Sequence, residues 1–220
     1  EIMDLVNKSY ENFRSKDIVL IKTFENLNLL ELFHGPTLAF KDIAMRIIGN
    51  MYEEILKKDN LKINIVVATS GDTGAAAINA IKNRKNMKIF VLHPYNRISE
   101  VQRKFMTTVH SKNVFNIAID GNFDDCQQMV KSMFSDKSFS NAINMSGVNS
   151  INWSRIIFQT VYYFFSYFKF AKKKEKINFS VPTGNFGDIY AGYIAKKMGL
   201  PINKLIIATN KNDILQRVVT

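Results

Sequence analysis

Cysteine is nearly absent from this chain. Among 220 residues only Cys126 carries a thiol, so no disulfide can close within it and nothing points to an oxidising compartment. Histidine is scarce too: His34, His93 and His110 lie far apart, and with one cysteine they make no metal-ligating cluster, so no metal is expected. With 4 prolines, 22% charged and 46% hydrophobic residues, the chain does not have the composition of a disordered segment. No basic-then-apolar leader opens it, which makes the cytoplasm the expected location. Acidic residues are short, 19 against 30 basic ones, for a net charge of +11. Basic proteins often bind nucleic acid, but here the excess is scattered as single lysines. The one dense run, Lys172-Lys173-Lys174-Glu175-Lys176, reads as a solvated loop, and no recognition motif accompanies it. Nucleic acid is therefore not an expected partner. Long apolar runs are also missing. The nearest, Ile151 to Phe170, is interrupted by Asn152, Ser154, Arg155, Gln159 and Lys169, and reads as a deeply packed helix instead of a membrane span.

What remains is an alternation of strands and helices. Residues 1–29 suggest a helix and a strand-like lead-in at Ile18 to Ile21. Apolar residues at Ala44, Ile47, Ile48, Met51 and Ile55 predict a helix from Lys41 to about Lys58. Strands are expected at Ile63–Ala68, Lys88–Leu92 (stopped by Pro94), Val114–Ile119, Ile177–Val181 and Leu205–Ala208. Between them fall helices from Ser99 to Val109, from Asp124 to Phe134, from Ile151 to Phe170, and one ending at Gly199-Leu200-Pro201. The acidic cluster Asp120, Asp124, Asp125 lacks calcium-loop spacing and reads as a turn with helix-dipole charge. This order implies an α/β protein with parallel sheets, whose ligands bind beyond the strand C-terminal ends.

Two glycine-rich loops lie at such ends. Thr69-Ser70-Gly71-Asp72-Thr73-Gly74 and Pro182-Thr183-Gly184-Asn185-Phe186-Gly187-Asp188 each lead from a strand into a helix N-terminus, a ready anion site. Neither is a dinucleotide fingerprint or a P-loop. A third feature is Lys41, which follows the turn His34-Gly35-Pro36-Thr37 and apolar Leu38, Ala39 and Phe40. A helix N-terminus and apolar neighbours both favour the neutral amine, the nucleophile needed to attack an aldehyde cofactor. On this local pattern alone, a solvated lysine that happens to open a helix is the favoured reading, and the catalytic one needs support from the rest of the chain. The two loops and the lysine together suit an aldehyde cofactor bearing a phosphate and an anionic substrate.

Taken together, His34-Gly35-Pro36-Thr37 with Phe40-Lys41-Asp42, Thr69 to Gly74, Asn149-Ser150-Ile151-Asn152, Pro182 to Asp188 and Ala208-Thr209-Asn210 resemble the threonine synthases. These are pyridoxal-phosphate enzymes of the tryptophan-synthase-β fold type, and the resemblance runs from about Glu31 to Gln216. It implies a fold-type-II α/β architecture with two domains, the second incomplete here. It implies Lys41 as the Schiff-base lysine and the loop Gly184, Asn185, Phe186, Gly187 as the cradle of the cofactor phosphate. Thr69, Ser70 and Thr73 would grip the substrate carboxylate, and Asn149, Ser150 and Arg155 the substrate phosphate. Asp72 stands where many relatives have asparagine beside the cofactor ring hydroxyl. The implied reaction converts O-phospho-L-homoserine and water to L-threonine and phosphate.

The resemblance also implies boundaries: a smaller domain over residues 41–172, and a larger one built from 1–40 and 173–220. The chain has no initiator methionine, and family members extend past both ends, so a fragment is expected. The residue that meets the pyridine nitrogen is expected beyond Thr220. Rival readings are another lyase of the same fold, such as a serine/threonine dehydratase or a phospholyase-like enzyme, and a non-catalytic relative.

Overall fold

The computed structural model describes residues 2–149, 152–171 and 175–219. In chain order it contains helix α1 (Ile2–Tyr10), strands β1 (Leu20–Phe24) and β2 (Leu27–Glu31), helix α2 (Lys41–Lys58), strand β3 (Ile63–Ala68), helix α3 (Asp72–Ile81), strand β4 (Met87–Pro94) and helix α4 (Glu100–Thr107). There follow β5 (Val114–Ile119), α5 (Phe123–Ser135), α6 (Lys137–Ala142), β6 (Met145–Ser146), α7 (Trp153–Phe170), β7 (Ile177–Pro182), α8 (Gly187–Lys197), β8 (Ile202–Ala208) and α9 (Ile214–Val219).

The chain forms two compact units, residues 1–18 with 32–149, and residues 19–31 with 150–220. These boundaries differ from the expected 41–172 at both ends. At the front, α1 belongs with α2: Arg46 Nε donates to the Ser9 carbonyl at 3.0 Å, and Asn50 Nδ2 to Ser9 Oγ at 2.7 Å. At the back, α7 belongs with α8, where Tyr163 packs so close to Gly192 that an added Cβ would meet its ring at 2.7 Å.

In the first unit the sheet is parallel, in the order β5-β4-β3-β6. Ile65, Val67, Ile89 and Val91 face a core shared with Met45, Ala76, Ala77, Ile78 and Met106, from α2, α3 and α4. Val66, Ala68 and Leu92 face Cys126 and Val130 of α5. A parallel sheet covered on both sides has strands that are apolar on both faces, which is why Ile65–Ala68 of β3 and Ile89–Leu92 of β4 read as continuous apolar runs. Small residues on α3 let it lie close to the sheet. β6 and α6 had no periodicity to announce them. β6 is two residues long, and α6 is one short stretch capped by Asp136, whose Oδ1 accepts from Phe139 N at 3.0 Å. The acidic turn before α5 is a capping box: Asn122 Oδ1 accepts from the amides of Asp124 and Asp125, and Asp125 Oδ2 from that of Asn122.

The second unit holds an antiparallel hairpin, β1–β2, and a parallel pair, β7–β8. The sequence suggested only an extended lead-in near Ile18. The hairpin turn places Glu25, not glycine, at φ 47°, so the usual turn signal is missing. Among the described residues no helix is long and apolar enough to cross a membrane. The basic run at 172–174 lies outside the described residues.

Candidate active site

In the first unit, Lys41 is the first residue of α2, and its direction is set by the residue after it. Asp42 is fully buried, and its carboxylate accepts from Thr37 N at 2.8 Å and Thr37 Oγ1 at 2.7 Å. Burial pushes this carboxyl's pKa up, against the Thr37 hydrogen bonds that pull it down. Gly35 is required there because any Cβ would fall 2.5 Å from the Asp42 side chain. The turn His34 to Thr37 is thus wound around Asp42, and Lys41 is projected from a fixed base.

The Lys41 side chain is 15% exposed, lies over the Phe40 ring, and brings Nζ to 3.2 Å from Asp72 Oδ2. The expected apolar setting for a neutral amine is therefore only part of the picture, because a counter-charge faces it. Asp72 opens α3, where the helix dipole favours a carboxylate. Its other oxygen accepts from Gln102 Nε2 at 2.8 Å. Burial works to raise the Asp72 pKa, but the Gln102 hydrogen bond and the Lys41 charge outweigh it and hold the carboxyl below its ordinary range. Asp72 is an ionised acceptor held between an amide and an ammonium.

Gln102 was not singled out in the sequence. It sits on α4, whose cap Ser99 accepts from the Gln102 amide at 3.2 Å and donates to its Oε1 at 3.0 Å. The only available signal was this Ser-x-x-Gln capping pattern. Gly71, at φ 143°, leaves room for it, since a Cβ there would lie 2.4 Å from Gln102 Cδ.

Thr69 is buried, and its Oγ1 accepts from the amides of Gly71 and Gly74, both at 2.9 Å. It shapes the loop, with only its hydroxyl hydrogen left to donate. Ser70 is exposed and Thr73 half-buried, both open to a ligand. Asn149 is half-buried, with a buried Oδ1 that has no partner among the described residues. Ser150 lies outside the described residues.

In the second unit, β7 delivers Thr183 to a hydrogen bond with the Ala208 carbonyl at 2.9 Å, and the chain then turns through exposed Gly184, Asn185 and Phe186. α8 begins at Gly187 with no cap hydrogen bond from the Phe186 side chain, so its N-terminus is of the kind that suits an anion. A Cβ added at Gly184 would meet nothing within 4 Å among the described residues. Asp188, in that first turn, could compete for an anion's place. It is tied back instead: Oδ1 accepts from Tyr162 Oη at 2.5 Å and from Tyr163 Oη at 3.0 Å. Burial, then the Asp188 charge, pushes both phenol pKa values well up, so both hydroxyls stay donors. Neither tyrosine could be told from core by its spacing.

Arg155 is 3% exposed in the first turn of α7, a helix capped by Asn152 through Ser154 N at 3.0 Å. Burial lowers its guanidinium pKa to about 10, with Tyr162 opposing the shift. A buried cation of this kind favours an anionic ligand.

Taken separately, each unit offers one feature that suits part of pyridoxal phosphate: in the first, an amine at Lys41 opening a helix against an ionised carboxylate, and in the second, an open glycine loop at Gly184 running into the N-terminus of α8. A family model described as pyridoxal-phosphate dependent enzyme matches residues 26–219, and the chain belongs to that family. Threonine synthase of Pseudomonas aeruginosa is 54% identical over 87% of this chain and 41% of its own length. Threonine synthase of Saccharomyces cerevisiae is 49% identical over 99% of this chain and 45% of its own. The crystal structure of pyridoxal-phosphate-bound threonine synthase from Brucella melitensis superposes with a TM-score of 0.89 at 51% identity, covering 98% of this chain and 47% of that one. The chain therefore spans about half the length of the relatives it matches.

Proposed function

We propose that this chain is the lysine-bearing part of a threonine synthase, which converts O-phospho-L-homoserine and water to L-threonine and phosphate. The first unit is assigned to the smaller domain of the fold, and the second to the larger, cofactor-phosphate-binding one. Lys41 would hold the cofactor through its amine and, from its anchored place at the start of α2, would move protons between substrate carbons. Asp72, kept ionised by Gln102, stabilises the protonated form of that amine and orients it. When bound, pyridoxal phosphate supplies the electron sink that makes the substrate's carbon-bound protons removable. The amides at Gly184 to Gly187 hold the cofactor phosphate. Thr69, Ser70 and Thr73 take the substrate carboxylate, and Asn149, Ser150 and Arg155 its phosphate. Phosphate leaves the γ carbon, and water adds at the β carbon.

The observation that carries this reading is the Lys41–Asp72–Gln102 chain, set on a sequence about half identical to proteins named threonine synthase. The test is the full-length protein with pyridoxal phosphate and O-phospho-L-homoserine, scored for amino acid and phosphate. Equimolar threonine and phosphate are expected. A keto acid in place of threonine would favour a dehydratase-type lyase.

A further inference from the structure

α7 carries a second polar side chain, Gln159, to which the proposed reaction gives no task. It is 1% exposed, and neither Nε2 nor Oε1 has a hydrogen-bond partner among the described residues. Its polar neighbours on the same helix are settled locally: Thr160 Oγ1 donates to the Ile157 carbonyl at 2.7 Å, and Ser166 Oγ to that of Tyr162 at 2.6 Å. A buried amide with both ends unpaired carries an uncompensated desolvation penalty, and such a group calls for an explanation. Gln159 lies four residues beyond Arg155, one turn along the same face of α7, and both are buried. A fixed cation beside an amide with two N–H donors is a pairing suited to an oxyanion with several acceptor oxygens.

We propose that Gln159 is a ligand-binding residue, its Nε2 donating to the phosphate-ester oxyanion that Arg155 attracts. This rests on reading Arg155 as a contact to the substrate phosphate. The Gln159 Oε1 then accepts from a P–OH group or from water accompanying the anion.

A residue kept for a ligand and a residue kept for the fold respond with opposite signs to Gln159→Leu, which removes both unpaired atoms at similar volume. In the ligand-free, full-length protein, the variant's thermal midpoint is expected to hold or rise, because the desolvation penalty is gone. Calorimetry in a Lys41→Ala background, where substrate is not consumed, is expected to show at least about tenfold weaker binding of O-phospho-L-homoserine. Pyridoxal-phosphate affinity is expected to stay unchanged. A midpoint lowered in both Gln159→Leu and Gln159→Met, with phosphohomoserine affinity intact, would make Gln159 a structural group and overturn the proposal. So would a loss of cofactor affinity alone. Arg155→Ala measured in parallel separates the two readings. If it leaves affinity intact while Gln159→Leu weakens it, Gln159 stands and the role of Arg155 falls. If both leave it intact, both fall.

Discussion

Lys41 owes its setting to three side chains from three different helices. Asp42 fixes the turn behind it, Asp72 faces its amine, and Gln102 holds Asp72. Lys41→Ala removes a partly exposed side chain from the start of α2, so the fold is expected to survive. Borohydride reduction in the presence of pyridoxal phosphate should then label no residue at position 41, and no threonine should form. Labelling at an unchanged level on a different lysine would reassign the nucleophile. Asp72 gives a prediction with a definite sign. Its folded pKa lies below its unfolded value, so it contributes stability above the ordinary carboxylate range, and that contribution is lost as pH falls through the folded pKa. Asp42, with its raised pKa, acts in the opposite sense: the folded state gains as it takes up its proton. The informative measurement is therefore the difference between wild type and Asp72→Asn. From neutrality down past about pH 4, wild type is expected to lose thermal stability more steeply than the variant. Parallel curves would mean that Asp72 is not held ionised by its neighbours.

At the scale of elements, α7 and α8 act as a pair. Tyr162 and Tyr163 on α7 both donate to the Asp188 carboxylate in the first turn of α8, and so fix its position beside that helix N-terminus. Tyr163→Phe deletes a donor to both the Asp188 carboxylate and its carbonyl. It is expected to cost about 1–3 kcal/mol of stability and to weaken pyridoxal-phosphate binding, read by fluorescence titration. Unchanged cofactor affinity would separate the tyrosine pair from the cradle. Arg155→Ala probes the other end of α7. It is expected to weaken phosphohomoserine binding by about 1.5–3 kcal/mol and pyridoxal-phosphate binding far less. The reverse pattern would exchange the two phosphate assignments.

At the scale of the whole molecule, the two units differ in how completely their sheets are covered. β3 and β4 are sealed between α2, α3 and α4 on one face and α5 on the other. β8 leaves Ile206 46% exposed, and on α8 and just past it Tyr193 and Met198 are exposed as well. Amides in a doubly covered sheet open only with global unfolding, while those in a half-covered pair open locally. Hydrogen exchange on these 220 residues is therefore expected to be slowest in β3 and β4, and markedly faster in β7 and β8. Equal protection in the two sheets would show that the β7–β8 pair is shielded by something other than its own packing.

Much of this was legible in the sequence, for reasons of range. The runs at Ile63–Ala68 and Val114–Ile119, the helix opened by Lys41 and both glycine loops are signalled by neighbours in the chain, through periodicity, turn chemistry and capping. The hairpin at Glu25, the two-residue β6 and the capped stub α6 gave no such signal, because their turns and lengths carry no distinctive residue. The partners of the functional groups were out of reach for a different reason. Gln102 meets Asp72 across 30 positions, Lys41 meets Asp72 across 31, and Tyr162 meets Asp188 across 26. Local sequence determined which residues open helices and which end strands, and hence which groups stand ready for chemistry. Only tertiary packing decided which charge faces Lys41, which hydroxyls restrain Asp188 and which amide stays unpaired, because those depend on helices brought side by side by the burial of apolar faces.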